Sequence, residues 1–77
     1  MENSVSIENH IIDIQNLFPY ELTLSPQELA KLRNKSVQTL AHERKRGVGV
    51  RYKNSEGGIE YPIREVAIWL HNTIMTA

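Results

Sequence analysis

The run Ser25-Pro26-Gln27-Glu28-Leu29-Ala30-Lys31-Leu32-Arg33-Asn34-Lys35-Ser36-Val37-Gln38-Thr39-Leu40-Ala41-His42-Glu43-Arg44-Lys45-Arg46-Gly47 holds two short helices and the turn between them. It opens on a capping box. The Ser25 hydroxyl can accept from the amide of residue 28, and the Glu28 carboxylate from the amide of Ser25. Pro26 falls at the first helical position, where its missing N–H would be unpaired anyway. Leu29, Ala30 and Leu32 give the inward face of a helix over about 26–33. Asn34 tolerates a left-handed backbone, so Arg33-Asn34-Lys35 reads as a turn. Ser36 caps a second helix, over about 37–46. Val37, Leu40, Ala41 and Arg44 form its inward stripe, while Gln38, Thr39, His42, Lys45 and Arg46 lie on its other faces. Gly47 stops it.

Beyond Gly47 the period changes from helical to two. Val48, Val50 and Tyr52 alternate with Gly49, Arg51 and Lys53, and Ile59-Glu60-Tyr61 alternates again after the turn cluster Asn54-Ser55-Glu56-Gly57-Gly58. The expectation is a two-stranded β-hairpin. Pro62 reads as the first position of a third helix, with Val66, Trp69, Leu70 and Ile74 as its core-facing stripe. On this reading Trp69 is core, and Tyr52 and Tyr61 pack on facing strands.

Working outward in the other direction, residues 1–22 read as an acidic N-terminal segment and 23–77 as the main domain. Ile7, Ile11, Ile14 and Phe18 follow helical spacing, with Ser6 as cap, although the alternation of Val5 and Ile7 leaves a strand open. As a helix, residues 7–18 would pack on the domain or pair protomers, because the apolar stripe is too large to leave in water. Pro19 ends either element.

With 77 residues the chain makes one small domain with a modest core. It has no cysteine, which removes disulfides, zinc–thiolate sites and cysteine nucleophiles. No run approaches the roughly 18–20 apolar residues of a membrane helix. Met-Glu-Asn-Ser does not read as a secretory leader. The expected location is the cytoplasm of a bacterium, at the nucleoid, with no membrane partner.

The formal net charge of zero argues at first against a phosphate-rich partner. The charges, however, are segregated. Residues 1–24 carry Glu2, Glu8, Asp13 and Glu21 without a cation, a net −4. Residues 31–53 carry Lys31, Arg33, Lys35, Arg44, Lys45, Arg46, Arg51 and Lys53 against Glu43 alone, a net +7. Such asymmetry points to a nucleic-acid or membrane-surface patch, or to a merely solvated basic face.

Two capped helices, a hairpin and a further helix give the order of a small α+β winged helix-turn-helix: three core helices, a two-stranded wing and an additional N-terminal element. In that unit the second helix enters the DNA major groove. The cations fall on the turn, the second helix and the first wing strand, so element order and charge agree.

The sequence here resembles the AlpA/excisionase-type small DNA-binding proteins, which share a MerR-like winged-helix fold. The likeness runs through Leu24-Ser25-Pro26-Gln27-Glu28-Leu29-Ala30, Ser36-Val37-Gln38-Thr39-Leu40, Arg44-Lys45-Arg46-Gly47-Val48-Gly49-Val50 and Ile59-Glu60-Tyr61-Pro62-Ile63-Arg64-Glu65-Val66-Ala67-Ile68-Trp69-Leu70. It covers residues 23–71. The resemblance implies an excisionase-like recombination directionality factor or an AlpA-like transcriptional regulator. Its expected partners are double-stranded DNA, an integrase (recombinase) or RNA polymerase, and further copies of itself on DNA. Carried over, the DNA-binding residues are Lys35, Ser36, Gln38, Thr39, His42, Lys45 and Arg46, with Arg51, Lys53 and Asn54 in the wing. The chain departs from the family at Glu43, where members carry an aromatic, and at the wing tip Ser55-Glu56-Gly57-Gly58, where they carry cations. The acidic N-terminal segment lies outside the likeness.

In chemical terms Gln38 suits a bidentate contact to adenine and Arg46 one to guanine, the alternative being that each touches only phosphate or water. Thr39 suits a phosphate, a thymine methyl or merely covering the helix start, and His42 a groove contact, a metal ligand or a plain surface position. Lys35, Lys45, Arg51 and Lys53 are phosphate candidates. Arg44 reads as a structural cation, paired with Glu65. His10, His42 and His71 lack metal-ligand spacing. No nucleophile triad, carboxylate pair or phosphate-binding glycine loop is visible, so neither an enzyme nor a cofactor is expected. The competing class is a protein–protein adaptor of phage or mobile-element origin, using the same two helices against an acidic protein.

Overall fold

Ser25 has the extended backbone of a cap (φ −74°, ψ 164°) and starts a helix at Pro26, as its sequence context requires. The computed structural model describes residues 2–75, and the side chains of residues 7–73. Its elements are α1 (Glu2–Leu17), β1 (Thr23–Leu24), α2 (Pro26–Arg33), α3 (Val37–Arg46), β2 (Lys53–Ser55), β3 (Gly58–Pro62) and α4 (Ile63–Met75). The result is an α+β domain of four helices and a three-stranded antiparallel sheet in the order β1-β3-β2.

Helices α2 and α3 form over the expected residues because their ends are satisfied locally. The Glu28 amide donates to Ser25 Oγ at 3.1 Å, and the Ser25 amide donates to Glu28 Oε1 at 2.9 Å. Asn34 takes the left-handed conformation (φ 56°) that ends α2, and the Lys35 amide closes the turn on the Ala30 carbonyl at 2.8 Å. The Thr39 amide donates to Ser36 Oγ at 3.1 Å. Gly47, at φ 76°, ends α3.

Three expectations need correction. First, Val48–Tyr52 is not a strand. Gly49 sits at φ 89°, which breaks the extended backbone, so β2 is confined to Lys53–Ser55. Second, Pro62 ends β3 rather than opening α4. Thr23 and Leu24 pair with Pro62 and Tyr61, forming a third strand that the sequence reading lacked. The Ile63 amide then donates to the Leu22 carbonyl at 3.1 Å, and the helix starts there. Third, the N-terminal element is a helix from Glu2, so Ser6 lies inside it and is not its cap.

Leu24, Leu29, Leu40 and Val66 are almost fully buried, and Ile14, Val50, Tyr61, Ile63 and Ala67 join them in one core. Helix α1 packs along α4, with Ile7, Ile11 and Phe18 against that core and Glu8 and Asp13 exposed. The inward stripe of α1 therefore has its partner within the same chain. Trp69 and Leu70 are half-buried against the core, as expected, whereas Ile74 lies outside the described side chains.

Candidate functional site

Leu40 is 1% exposed and fixes which way α3 faces. At about 100° per residue, Gln38, His42 and Lys45 fall on one strip opposite Leu40, with Arg46 beside it. All four are exposed. Lys35 and Ser36 are exposed in the turn that leads into this strip, and Arg51, Lys53 and Asn54 are exposed along the chain that leaves it. Val37, expected on the inward stripe, is 39% exposed at its margin.

Several expected contact groups already have work inside the protein. Ser36 Oγ accepts the Thr39 amide and shares a 2.9 Å hydrogen bond with Thr39 Oγ1, so both hydroxyls are engaged in starting α3. Lys53 Nζ lies 3.6 Å from Glu60 Oε1 across the hairpin, with Lys53 exposed and Glu60 partly so. An exposed pair of this kind contributes at most about 1 kcal/mol and leaves Lys53 able to turn to another anion.

Glu43 is engaged inside the protein as well. Its two oxygens accept from Arg33 Nη1 and Nη2 at 2.7 and 2.9 Å, and the Arg33 side chain is only 7% exposed. The same guanidinium lies over the Trp69 ring, 4.1 Å from its centroid. These bidentate bonds hold the Glu43 carboxyl below the usual carboxylate range, outweighing the opposing effect of burial. Glycine is required at 49 for the same reason: a Cβ there would lie 2.5 Å from Glu43 Oε1.

The ion pair expected between Arg44 and Glu65 is not the one that forms. Arg44 Nη1 donates instead to the Tyr61 hydroxyl, and its guanidinium carbon lies 5.8 and 6.0 Å from the ring centroids of Tyr52 and Tyr61. Sequence reasoning gave Arg44 a structural role with the wrong partner and missed the anchoring of Arg33. A lone acid within a basic run was the available signal for the Arg33–Glu43 pair.

Among the described residues no group of three His, Cys, Asp or Glu is placed to hold a metal ion, and no helix is long and apolar enough to cross a membrane. The His10 and His71 rings meet edge to face, with centroids 6.2 Å apart, between α1 and α4. Compared with protein-family models, with curated proteins and with solved structures, the chain has no significant match in any of the three.

Proposed function

We propose that the chain binds double-stranded DNA as a small winged helix-turn-helix protein, in the role of an excisionase-like recombination factor or an AlpA-like transcriptional regulator. One observation carries this reading. The solvent strip of α3 is Gln38, His42, Lys45 and Arg46, while Glu43, the one acid in residues 31–53, is turned inward and neutralised by Arg33. The face offered to a partner is thus cationic and hydrogen-bonding, although the chain is neutral overall. The resemblance to the AlpA/excisionase proteins supports it through the residues quoted above.

In this mechanism α3 enters the major groove. Gln38 reads adenine and Arg46 reads guanine. Lys35, Lys45, Arg51 and Lys53 bind phosphates, each contributing about 0.9 to the slope of log affinity against log salt. Asn54 touches the backbone from the hairpin. A single short reading helix makes few base contacts, so binding should be cooperative on paired or repeated sites.

Sequences selected from random DNA supply the site, and competition with mixed-sequence DNA measures preference. Gln38→Ala should relax the preference, whereas Lys53→Ala should weaken all DNA about equally. Tight binding by a single monomer would reject the cooperative part. A second reading, as an adaptor for an acidic protein, draws on the exposed apolar side chains Val37, Val48 and Tyr52. If neither substitution alters DNA binding at roughly 100 mM salt, that reading takes precedence.

A further inference from the structure

Arg44 and Arg51 line one open hollow of about 270 Å³, together with Gly47, Val48, Gly49, Val50 and Tyr52. It lies where α3 gives way to the segment leading into the hairpin. Among the described residues no carboxylate forms an ion pair with either arginine. Glu43, whose carboxylate borders Gly49, has both oxygens on Arg33. Glu65 faces Arg51 across the adjoining hollow, which both line with Gly49 and Trp69, without forming an ion pair with it.

Arg44 is half-buried and fixed. Tyr61, itself 2% exposed, accepts one of its N–H groups, and the rings of Tyr52 and Tyr61 flank it. A guanidinium has five N–H donors, so four remain. Two guanidinium groups around one partly desolvated hollow repel each other unless an anion lies between them. Water occupies about 30 Å³ per molecule in the liquid, so the hollow has room for a tetrahedral oxyanion with its hydration.

We propose that this hollow is a phosphate seat, with Arg44 as its fixed donor, Arg51 as its mobile one and Tyr61 as the group that positions Arg44. Resting on the DNA reading, it takes a backbone phosphodiester beside the groove that α3 enters, and so adds Arg44 to the contact set. The shared ligand chemistry is a phosphate oxyanion, from a duplex backbone or from free phosphate.

The test uses the full chain in two arms. In the first, inorganic phosphate is titrated at constant ionic strength against chloride, while NMR follows the arginine Nε–Hε signals and the amides of residues 47–52. In the second, the salt dependence of binding to mixed-sequence duplex DNA is measured for the wild type, Arg44→Gln and Arg51→Gln. The expected result is a saturable shift of both arginine signals with phosphate, lost in either variant, and on DNA a slope that falls in Arg44→Gln as well as in Arg51→Gln, by no more than about 0.9 for the shared phosphate. A reduced slope in Arg44→Gln without free-phosphate shifts also supports the seat, with DNA as its source. Phosphate shifts without any DNA binding by the wild type would leave the seat standing for free phosphate and remove the DNA function. Phosphate shifts beside unchanged slopes would likewise assign the seat to free phosphate. DNA binding with unchanged slopes and no phosphate shifts would overturn the seat and leave the DNA reading intact. Should Arg44→Gln fail to fold by circular dichroism, exposed Arg51→Gln tests the seat through the phosphate-induced shift at Arg44, which it should abolish and whose persistence would overturn the seat.

Discussion

Gly49 is kept small by a carboxylate from another element. Its backbone needs a positive φ, and a methyl there would strike Glu43, which would in turn pull away from Arg33. Gly49→Ala should therefore lower the unfolding free energy by about 1–3 kcal/mol in urea titration. Gly57→Ala, where no heavy atom lies within 4 Å of the added carbon, should stay within about 0.5 kcal/mol. Equal effects would mean that Glu43 does not govern position 49. The same carboxylate sets a pH dependence. Arg33 lowers the Glu43 pKa below its ordinary 4.5, and the Ser25 amide does the same for Glu28. A depressed native pKa gives stability that is complete above the unfolded value and lost as pH falls through the folded one. Glu21, raised by its hydrogen bond to Glu28, acts in the opposite sense. Stability should fall on acidification below pH 4.5, and Glu43→Gln should flatten that fall. An unchanged pH profile in the variant would place the acid sensitivity elsewhere.

Helix α1 belongs to the fold at the scale of elements, because Ile14 is 2% exposed within the same core as Leu40. Ile14→Ala should cost about 2–5 kcal/mol, as should Leu40→Ala. A loss below about 1 kcal/mol for Ile14→Ala would mark α1 as loosely attached. Elements defined by neighbours in the chain were legible in the sequence. Ser25, Glu28, Asn34, Ser36 and Gly47 set the limits of α2 and α3 through bonds within a few residues. Elements defined by distant partners were not. Thr23–Leu24 is a strand because β3 pairs with it, and nothing local announces so short a strand. That pairing also keeps Pro62 extended. The alternation of Val48, Val50 and Tyr52 imitated a strand, but Gly49 takes a positive φ and lies against the Glu43 side chain, a contact that alternation does not reveal. The candidate site divides in the same way. The strip Gln38, His42, Lys45 follows from helical spacing and the burial of Leu40. The engagement of Arg33 and Arg44 depends on Glu43, Trp69 and Tyr61, which only the fold brings close.

For the whole molecule, the neutral total conceals charges segregated along the chain. Exposed Glu8 and Asp13 lie on α1, and the exposed cations of the proposed DNA face lie on and after α3. Long-range attraction to a polyanion should therefore be weak. Asp13→Asn combined with Glu8→Gln should leave the fold intact and speed association with DNA at low salt, an effect that fades once the Debye length falls to about 10 Å at 0.1 M. Stopped-flow association rates measure this, and equal rates would mean that the acids lie too far from the DNA path to act. The Arg33–Glu43 pair also has a mechanical consequence. It joins the end of α2 to the last turn of α3, while the Asn34 turn joins the same end to the start of α3. Both ends of α3 are thus referred to one point on α2, like the arms of a locked caliper. Whatever α3 docks against meets a preset angle, and association forfeits little conformational freedom in fixing it.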